Sequence, residues 1–390
     1  MEKLWNSNYT KVWTANFMIF FSFMIITPLL PLYLAETFDA DKDTIGLVLS
    51  GYTLTALFSR PFSGYIVDSF SRRKVLLTCY FFFSVIFGGY LIAGSLLMFA
   101  IVRTIHGAPM GSTTVANSTV AIDVLPSSRR SEGIGYYGLS NNLATSIAPT
   151  IGILIYEYTK SYDTIFCVAL ICSVIGLCIN TTVKFKENNI IPNKEPISLD
   201  RFFLKKGWRI GVSMAAFAFS YGVISTYLAV YGKEVLGITT GTGVYFAILS
   251  CGLMMSRIIG ARSLRRGQVV ENASHGMVLS MFGYLLFASV HNEIGYYGSA
   301  LIIGLGNGHM WPAFQTMFIN YAPNNKRGTA NSSQLTMWDA GIGLGVVCGG
   351  FTLEYIGYEE TFWIAWIVNV IGVIYFFAKA KQHFILNRLR

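Results

Sequence analysis

Twelve stretches of this 390-residue chain are apolar over roughly the length of a membrane crossing. They run over residues 10–35, 44–68, 74–94, 97–122, 131–156, 162–183, 208–232, 241–262, 269–290, 295–320, 328–354 and 360–380. A hydrocarbon core about 30 Å thick needs roughly 20 residues of helix. Backbone polar groups find no water there, so runs of this length are expected as helices. The predicted fold is therefore an all-α integral membrane protein with twelve transmembrane helices. Composition agrees, with 53% hydrophobic and only 13% charged residues, where a soluble domain carries about 25% charged. The first run, from about Val12 to Leu34, spans without a small-residue cleavage pattern and reads as a helix, not a signal peptide.

Charge orients the runs. Gly64 to Lys74 forms a short hairpin between two apolar runs, with Asp68 followed by Arg72, Arg73 and Lys74. With the N-terminus placed inside, the outer loops hold only Lys42, Lys160 and Lys233. Arg60, Arg103 and Arg257 fall within helices, and the remaining cations lie on the inner side. That is the positive-inside pattern. It predicts a multi-pass protein of a cell membrane (a bacterial inner membrane) with both termini cytoplasmic. The outer loops carry Glu36, Asp39, Asp41, Asp43, Glu293, Glu359 and Glu360. The net charge of +9 is thus explained by topology and does not call for nucleic acid as a partner. All six cysteines sit within apolar runs with no C-x-x-C pair, as packed thiols would.

The only long polar stretch, about Lys184 to Trp208, divides six runs from six. The expected organisation is an N-terminal six-helix bundle over 1–184, a cytoplasmic linker over 185–207 with a short surface helix near Leu199–Lys205, and a C-terminal bundle over 208–390. The halves overlay with a constant offset of 197 residues. Ser59-Arg60 meets Ser256-Arg257, Gly107 meets Gly304, and Gly111 meets Gly308. Pro126 meets Pro323, Arg130 meets Arg327, Gly152 meets Gly349, and Glu157 meets Glu354. Parallel repeats of this kind place a substrate site near the midplane, built from both halves.

The chain at this point resembles the major facilitator superfamily over nearly its whole length. Gly64, Asp68, Arg72 and Arg73 match the loop signature between the family's second and third helices. Ser69 and Ser71 depart from it, standing where Arg and Gly are usual. The resemblance implies a gate in which Asp68 pairs with Arg72 and with an acid ending the fourth helix, here Asp123. Arg103-Thr-Ile-His106-Gly107 resembles the Arg-x-x-Gln-Gly segment, with His106 replacing Gln; the family reading links Arg103 to proton coupling. The alternative is an arginine satisfied by neighbouring carbonyls. Gly135, Ala144, Ala148, Pro149 and Gly152 resemble the antiporter signature of the fifth helix, which favours efflux, or else mark close helix packing.

Asp339 is the one carboxylate expected near the bilayer centre. A charge there is costly unless protonated, paired or hydrated. Asp339 is therefore expected to exchange protons, with Arg103 as the second coupling residue. Binding of a cationic substrate and a structural hydrogen bond remain open at that position. Asn16, His106, Asn141, Asn142, Tyr221, Tyr227, Asn307, His309, Trp311 and Gln315 are expected around a mixed polar and aromatic substrate cavity. No metal site or cofactor is expected, since no Cys or carboxylate accompanies the two histidines. No P-loop, zinc cluster or catalytic triad pattern points to an enzyme. The reading is a monomeric secondary transporter, with the bilayer, a small molecule and protons as partners. It exports a drug, sugar or secreted metabolite by proton antiport. A proton symporter for nutrient uptake is the alternative, and a transporter-like receptor is the alternative of another class.

Overall fold

A computed structural model describes residues 3–40, 42–184, 202–238 and 241–389. Every regular element among the described residues is helical. In chain order these are α1 (Ser7–Ile26), α2 (Leu30–Phe38), α3 (Lys42–Ser69), α4 (Arg72–Ile92), α5 (Leu96–Val124), α6 (Arg130–Thr159) and α7 (Tyr162–Thr181). They continue with α8 (Trp208–Glu234), α9 (Gly241–Arg265), α10 (Val269–Ser289), α11 (Glu293–Tyr321), α12 (Arg327–Ile356), α13 (Tyr358–Tyr375) and α14 (Lys381–Asn387). One of the twelve expected runs, 10–35, is broken into two helices. Pro28 lies within a 3-10 turn at Thr27–Leu29 that separates α1 from α2, and Pro31 in the first turn of α2; proline removes a backbone donor and crowds the preceding turn. A π-helical segment, Phe376–Ala380, joins α13 to α14. Among the described residues, seven spans, including Ser7–Phe38 and Tyr358–Asn387, are long and apolar enough to cross a membrane. The linker lies mostly outside the described residues, including Leu199, Asp200 and Arg201 of the expected surface helix. The described part includes a 3-10 turn at Lys205–Gly207.

Several helix starts are dictated by short polar side chains. Asn6, Ser95, Ser161 and Asn292 each accept a hydrogen bond from the first-turn N–H of α1, α5, α7 and α11. Ser71 does the same for Lys74 at the start of α4, at 3.3 Å. The serine that departs from the loop signature thus has a local role as a helix cap.

The chain folds into two compact units. The first contains residues 1–128, 137–203 and 324–332; the second contains 129–136, 204–323 and 333–390. Within the first, α3 packs on α5, α4 on α5, α1 on α7, and α4 on α7. Within the second, α9 packs on α11, α10 on α11, α8 on α13, and α10 on α13. These are the same pairings displaced by one repeat.

The repeat extends to single contacts. Gly107 lies against the Tyr52 carbonyl, and Gly111 against Ser59 Oγ and the Ala56 carbonyl. In the second unit Gly304 lies against the Leu249 carbonyl, and Gly308 against Ser256 Oγ and the Leu253 carbonyl. Each partner sits at the 197-residue offset. A side chain at any of the four would strike backbone of the facing helix, so the close crossing requires glycine. The same holds where α6 crosses α1 and α12 crosses α8. Gly152 lies on the Ile25 backbone, while Gly341 and Gly345 lie on the carbonyls of Ala215 and Phe219.

Candidate functional site

The first unit gathers four charges at the end that carries the α3–α4 turn. Arg72 bonds Asp123 through Nη1, and through Nη2 reaches Asp68 Oδ1 at 3.1 Å and the Asn324 carbonyl at 3.2 Å. Arg327, the first residue of α12, donates to the other oxygen of Asp123 at 2.8 Å. Two carboxylates and two guanidiniums balance, and their side chains are only 6–9% exposed. Burial of that degree takes these pairs out of the class of weak surface salt bridges.

Asp68 has a second function in this cluster. Its Oδ1 accepts from the Gly328 N–H at 2.8 Å, and its Oδ2 from the Thr329 N–H at 2.7 Å and Thr329 Oγ1 at 2.9 Å. A carboxylate at the end of α3 thereby caps the start of α12, more than 250 residues away in sequence. The first N–H groups of a helix have no partner within it, and the helix dipole favours an anion there. Gly64 fits beneath this cap, with the Gly328 carbonyl and Ser332 side chain against its α-carbon. Asn331 adds a bond to Ser118. Arg73 points elsewhere and donates to the Thr181 carbonyl at 2.7 Å.

Deeper in the same unit, Arg103 is 3% exposed. Its guanidinium stands 4.2 Å from the centre of the Tyr52 ring and 5.1 Å from that of Phe23, and its Nη1 donates to the Tyr90 hydroxyl at 3.3 Å. Its partners are thus rings and a phenol, where the sequence reading left neighbouring carbonyls open. His106 is fully buried, with Nε2 3.0 Å from the Phe83 carbonyl and Nδ1 2.9 Å from the Tyr90 hydroxyl. The carbonyl can only accept, so Nε2 carries the proton and Nδ1 accepts from Tyr90. A directed chain results, from Arg103 to Tyr90 to His106 to the α4 backbone.

Asn16 belongs to a separate buried network. It accepts from Tyr137 at 2.7 Å and donates to Ser140 at 2.8 Å, while Asn117 joins Tyr137 at 2.8 Å and Asn180 at 3.0 Å. These bonds tie α1, α5, α6 and α7. Asn141 accepts locally from Thr145, and Asn142 is half-buried beside it on α6.

In the second unit, Trp338 draws an aromatic group together. It meets Trp311 edge-on at 4.8 Å, lies tilted 5.7 Å from Tyr221, and stacks 6.1 Å from Phe217. Asp339, half-buried, follows it directly on α12. Of the residues expected to line a cavity, Tyr221 and Trp311 are therefore brought together at Trp338. Asn307 and Gln315 are buried on α11. Two others turn away: His309 and Asn272 bond each other twice, at 2.8 and 2.9 Å, and Tyr227 donates to the Val346 carbonyl at 2.7 Å. Arg257 donates to the Gly135 carbonyl at 2.9 Å, and Glu132 accepts from Arg129 at 2.8 Å with Arg265 3.9 Å away. Ala144 and Ala148 are fully buried, and Pro149 is half-buried, on α6.

Arg327, Gly328, Thr329, Tyr90 and Trp338 were not singled out by sequence reasoning for these contacts. Only Arg327 carried a signal, as the repeat partner of Arg130. A cap made by backbone N–H groups leaves no residue-type signature, and one more tryptophan in an aromatic-rich chain is indistinguishable from packing.

Two helical units repeating one packing scheme describe a membrane transporter built by duplication. The sequence model of the Major Facilitator Superfamily matches residues 12–346 and 273–384, and the chain belongs to that superfamily. It is a multi-pass membrane transporter that carries a small molecule, not an enzyme. It is 23% identical to the staphylopine export protein of Staphylococcus aureus over 394 residues, covering 95% of this chain and 96% of the relative. It is also 23% identical to the multidrug resistance protein MdtG of Proteus mirabilis over 388 residues, covering 95% of each. Among solved structures, the human organic anion transporter MFSD10 superposes with a TM-score of 0.82 at 15% identity, covering 94% of this chain and 98% of that one.

Proposed function

We propose that this protein exports a small molecule by alternating access, driven by proton antiport. Two six-helix halves, 1–184 and 208–390, move about the linker 185–207. The observation that carries the reading is the capped start of α12. Asp68, Arg72 and Asp123 come from the first half of the sequence and Arg327, Gly328 and Thr329 from the second. Such a cluster holds one state while intact and frees another when broken. The gate reading of Gly64, Asp68, Arg72, Arg73 and Asp123 belongs to this proposal, with Arg73 as a lateral anchor. Export is supported by what the relatives are named for, and the termini are then cytoplasmic. Asp339 is the coupling residue, since a carboxylate in mid-membrane exchanges a proton more readily than it tolerates permanent charge. Tyr221, Trp311 and Trp338 wall the adjacent substrate site.

The test uses inside-out vesicles with a preset proton gradient read by a pH-sensitive dye. Organic cations, sugars and chelating acids are added in turn. A compound that dissipates the gradient with wild-type protein, and not with Asp339→Asn, is the expected result. Equal dissipation by both proteins sinks the coupling role. Gradient-driven accumulation in the opposite direction sinks export and leaves the uptake alternative.

A further inference from the structure

Three arginines lie within the apolar helices, and one of them has no counterpart in the repeat. Arg60 and Arg257 are repeat partners, and each bonds a protein oxygen: Thr114 Oγ1 at 3.2 Å for Arg60 and the Gly135 carbonyl at 2.9 Å for Arg257. Arg103 stands where the other half has Ala300, so the repeat assigns it no packing duty. Among the described residues no carboxylate forms an ion pair with it. It has a stacked pair of rings beside it, one phenol oxygen at 3.3 Å, and a buried Nε with no hydrogen-bond partner.

We propose that Arg103 binds a carboxylate of the transported molecule. The guanidinium is a planar fork whose Nε edge matches the two oxygens of a carboxylate. In this site Nε lacks a partner, while the mutually stacked rings of Phe23 and Tyr52 flank the guanidinium. The side chain is 3% exposed, so a charge-assisted bond formed there is little weakened by water. Tyr90 and His106 are positioning residues. His106, donating to the Phe83 carbonyl, accepts a hydrogen bond from the Tyr90 hydroxyl and leaves the phenol oxygen to accept from Arg103. The aromatic walls favour an acid with an apolar body.

This assignment rests on the transport reading and names the substrate class for it. The test is binding to the full chain in lipid nanodiscs, read by thermal unfolding. Acetate, benzoate and 1-naphthoate are each compared with the matching carboxamide. At least one acid is expected to raise the midpoint where its amide does not. Arg103→Gln should abolish that shift, and Arg103→Lys should weaken binding about tenfold or more, since an ammonium lacks the fork. His106→Gln, which can give and accept one bond each, should retain binding. Equal shifts for acid and amide, no shift with any acid, or a shift surviving in Arg103→Gln would overturn the assignment. If Arg103→Gln does not fold, unchanged affinity in Arg103→Lys overturns it. An acid that binds in this way yet is not moved across proteoliposomes overturns the assignment of that carboxylate to the transported molecule. A cation or sugar moved with no acid bound sinks the carboxylate assignment alone.

Discussion

Replacing Asp68 by Asn keeps the shape of the α12 cap and removes its charge. In the native cap, Oδ1 serves the Gly328 N–H and Arg72, while Oδ2 serves the Thr329 N–H and hydroxyl. An asparagine supplies one oxygen for the first pair. Its amide nitrogen then faces the Thr329 N–H, donor against donor. Two charge-assisted bonds are lost at about 1.5–3 kcal/mol each, close to the 3–5 kcal/mol typical of breaking one member of a buried ion pair. A loss of about 4 kcal/mol shifts the equilibrium between capped and released α12 by nearly three decades. Hydrogen–deuterium exchange reads this directly, because the N–H groups of Gly328 and Thr329 exchange only after leaving the carboxylate. Peptides covering 324–333 should exchange about a hundredfold to a thousandfold faster in Asp68→Asn. Peptides covering the glycine crossing at Gly107–Gly111 should not change. Unaltered exchange at 324–333 would refute the claim that Asp68 holds this turn.

Three further outcomes follow from the packing. Gly308→Ala puts a methyl group 2.6 Å from the Leu253 carbonyl and should cost about 1–3 kcal/mol in thermal stability. Gly343→Ala, with nothing within 4 Å, should be neutral or gain up to about 1 kcal/mol of helix propensity; equal effects at both positions would contradict the close crossing. His106→Ala leaves the Tyr90 hydroxyl without its acceptor beside a cavity, and should cost about 2–4 kcal/mol by the same measurement. Arg72→Ala should change transport in vesicles while leaving insertion intact, since Arg73 and Lys74 still mark the basic side; inverted topology in a protease-protection assay would make Arg72 an orientation signal only.

Much of the architecture was legible because lipid leaves the backbone few choices. Run lengths gave the helices, and the offset between Ser59 and Ser256 anticipated two equivalent crossings at Gly111 and Gly308. The break at Thr27–Leu29 was missed, because hydropathy alone runs across Pro28 and Pro31. The polar sites were less legible. His106 and His309 look alike in sequence, as lone histidines on small-residue helices. One orders Tyr90 and the other clasps Asn272, because the side each faces depends on which neighbour comes within 3 Å. Tyr221 and Tyr227 are six residues apart on α8, which turns them to different faces. Asn16 sits in a four-helix network whose other members are spread to Asn180, and nothing local distinguishes such a residue from one lining a cavity. Asp68 was legible as an ion-pair partner of Arg72 and illegible as a helix cap.

The central claim is that the start of α12 is held in one state and released in another during transport. Spin labels at Phe70→Cys and Asn325→Cys, in a variant with its native cysteines replaced, report that separation from exposed positions on either side of the cluster. Pulsed dipolar spectroscopy in nanodiscs should give a short distance for the native cluster and a second, longer population in Asp68→Asn. Lowering the pH should move weight between the same two populations, and Asp339→Asn should remove that response. A single unchanged distance in all these samples would contradict the account.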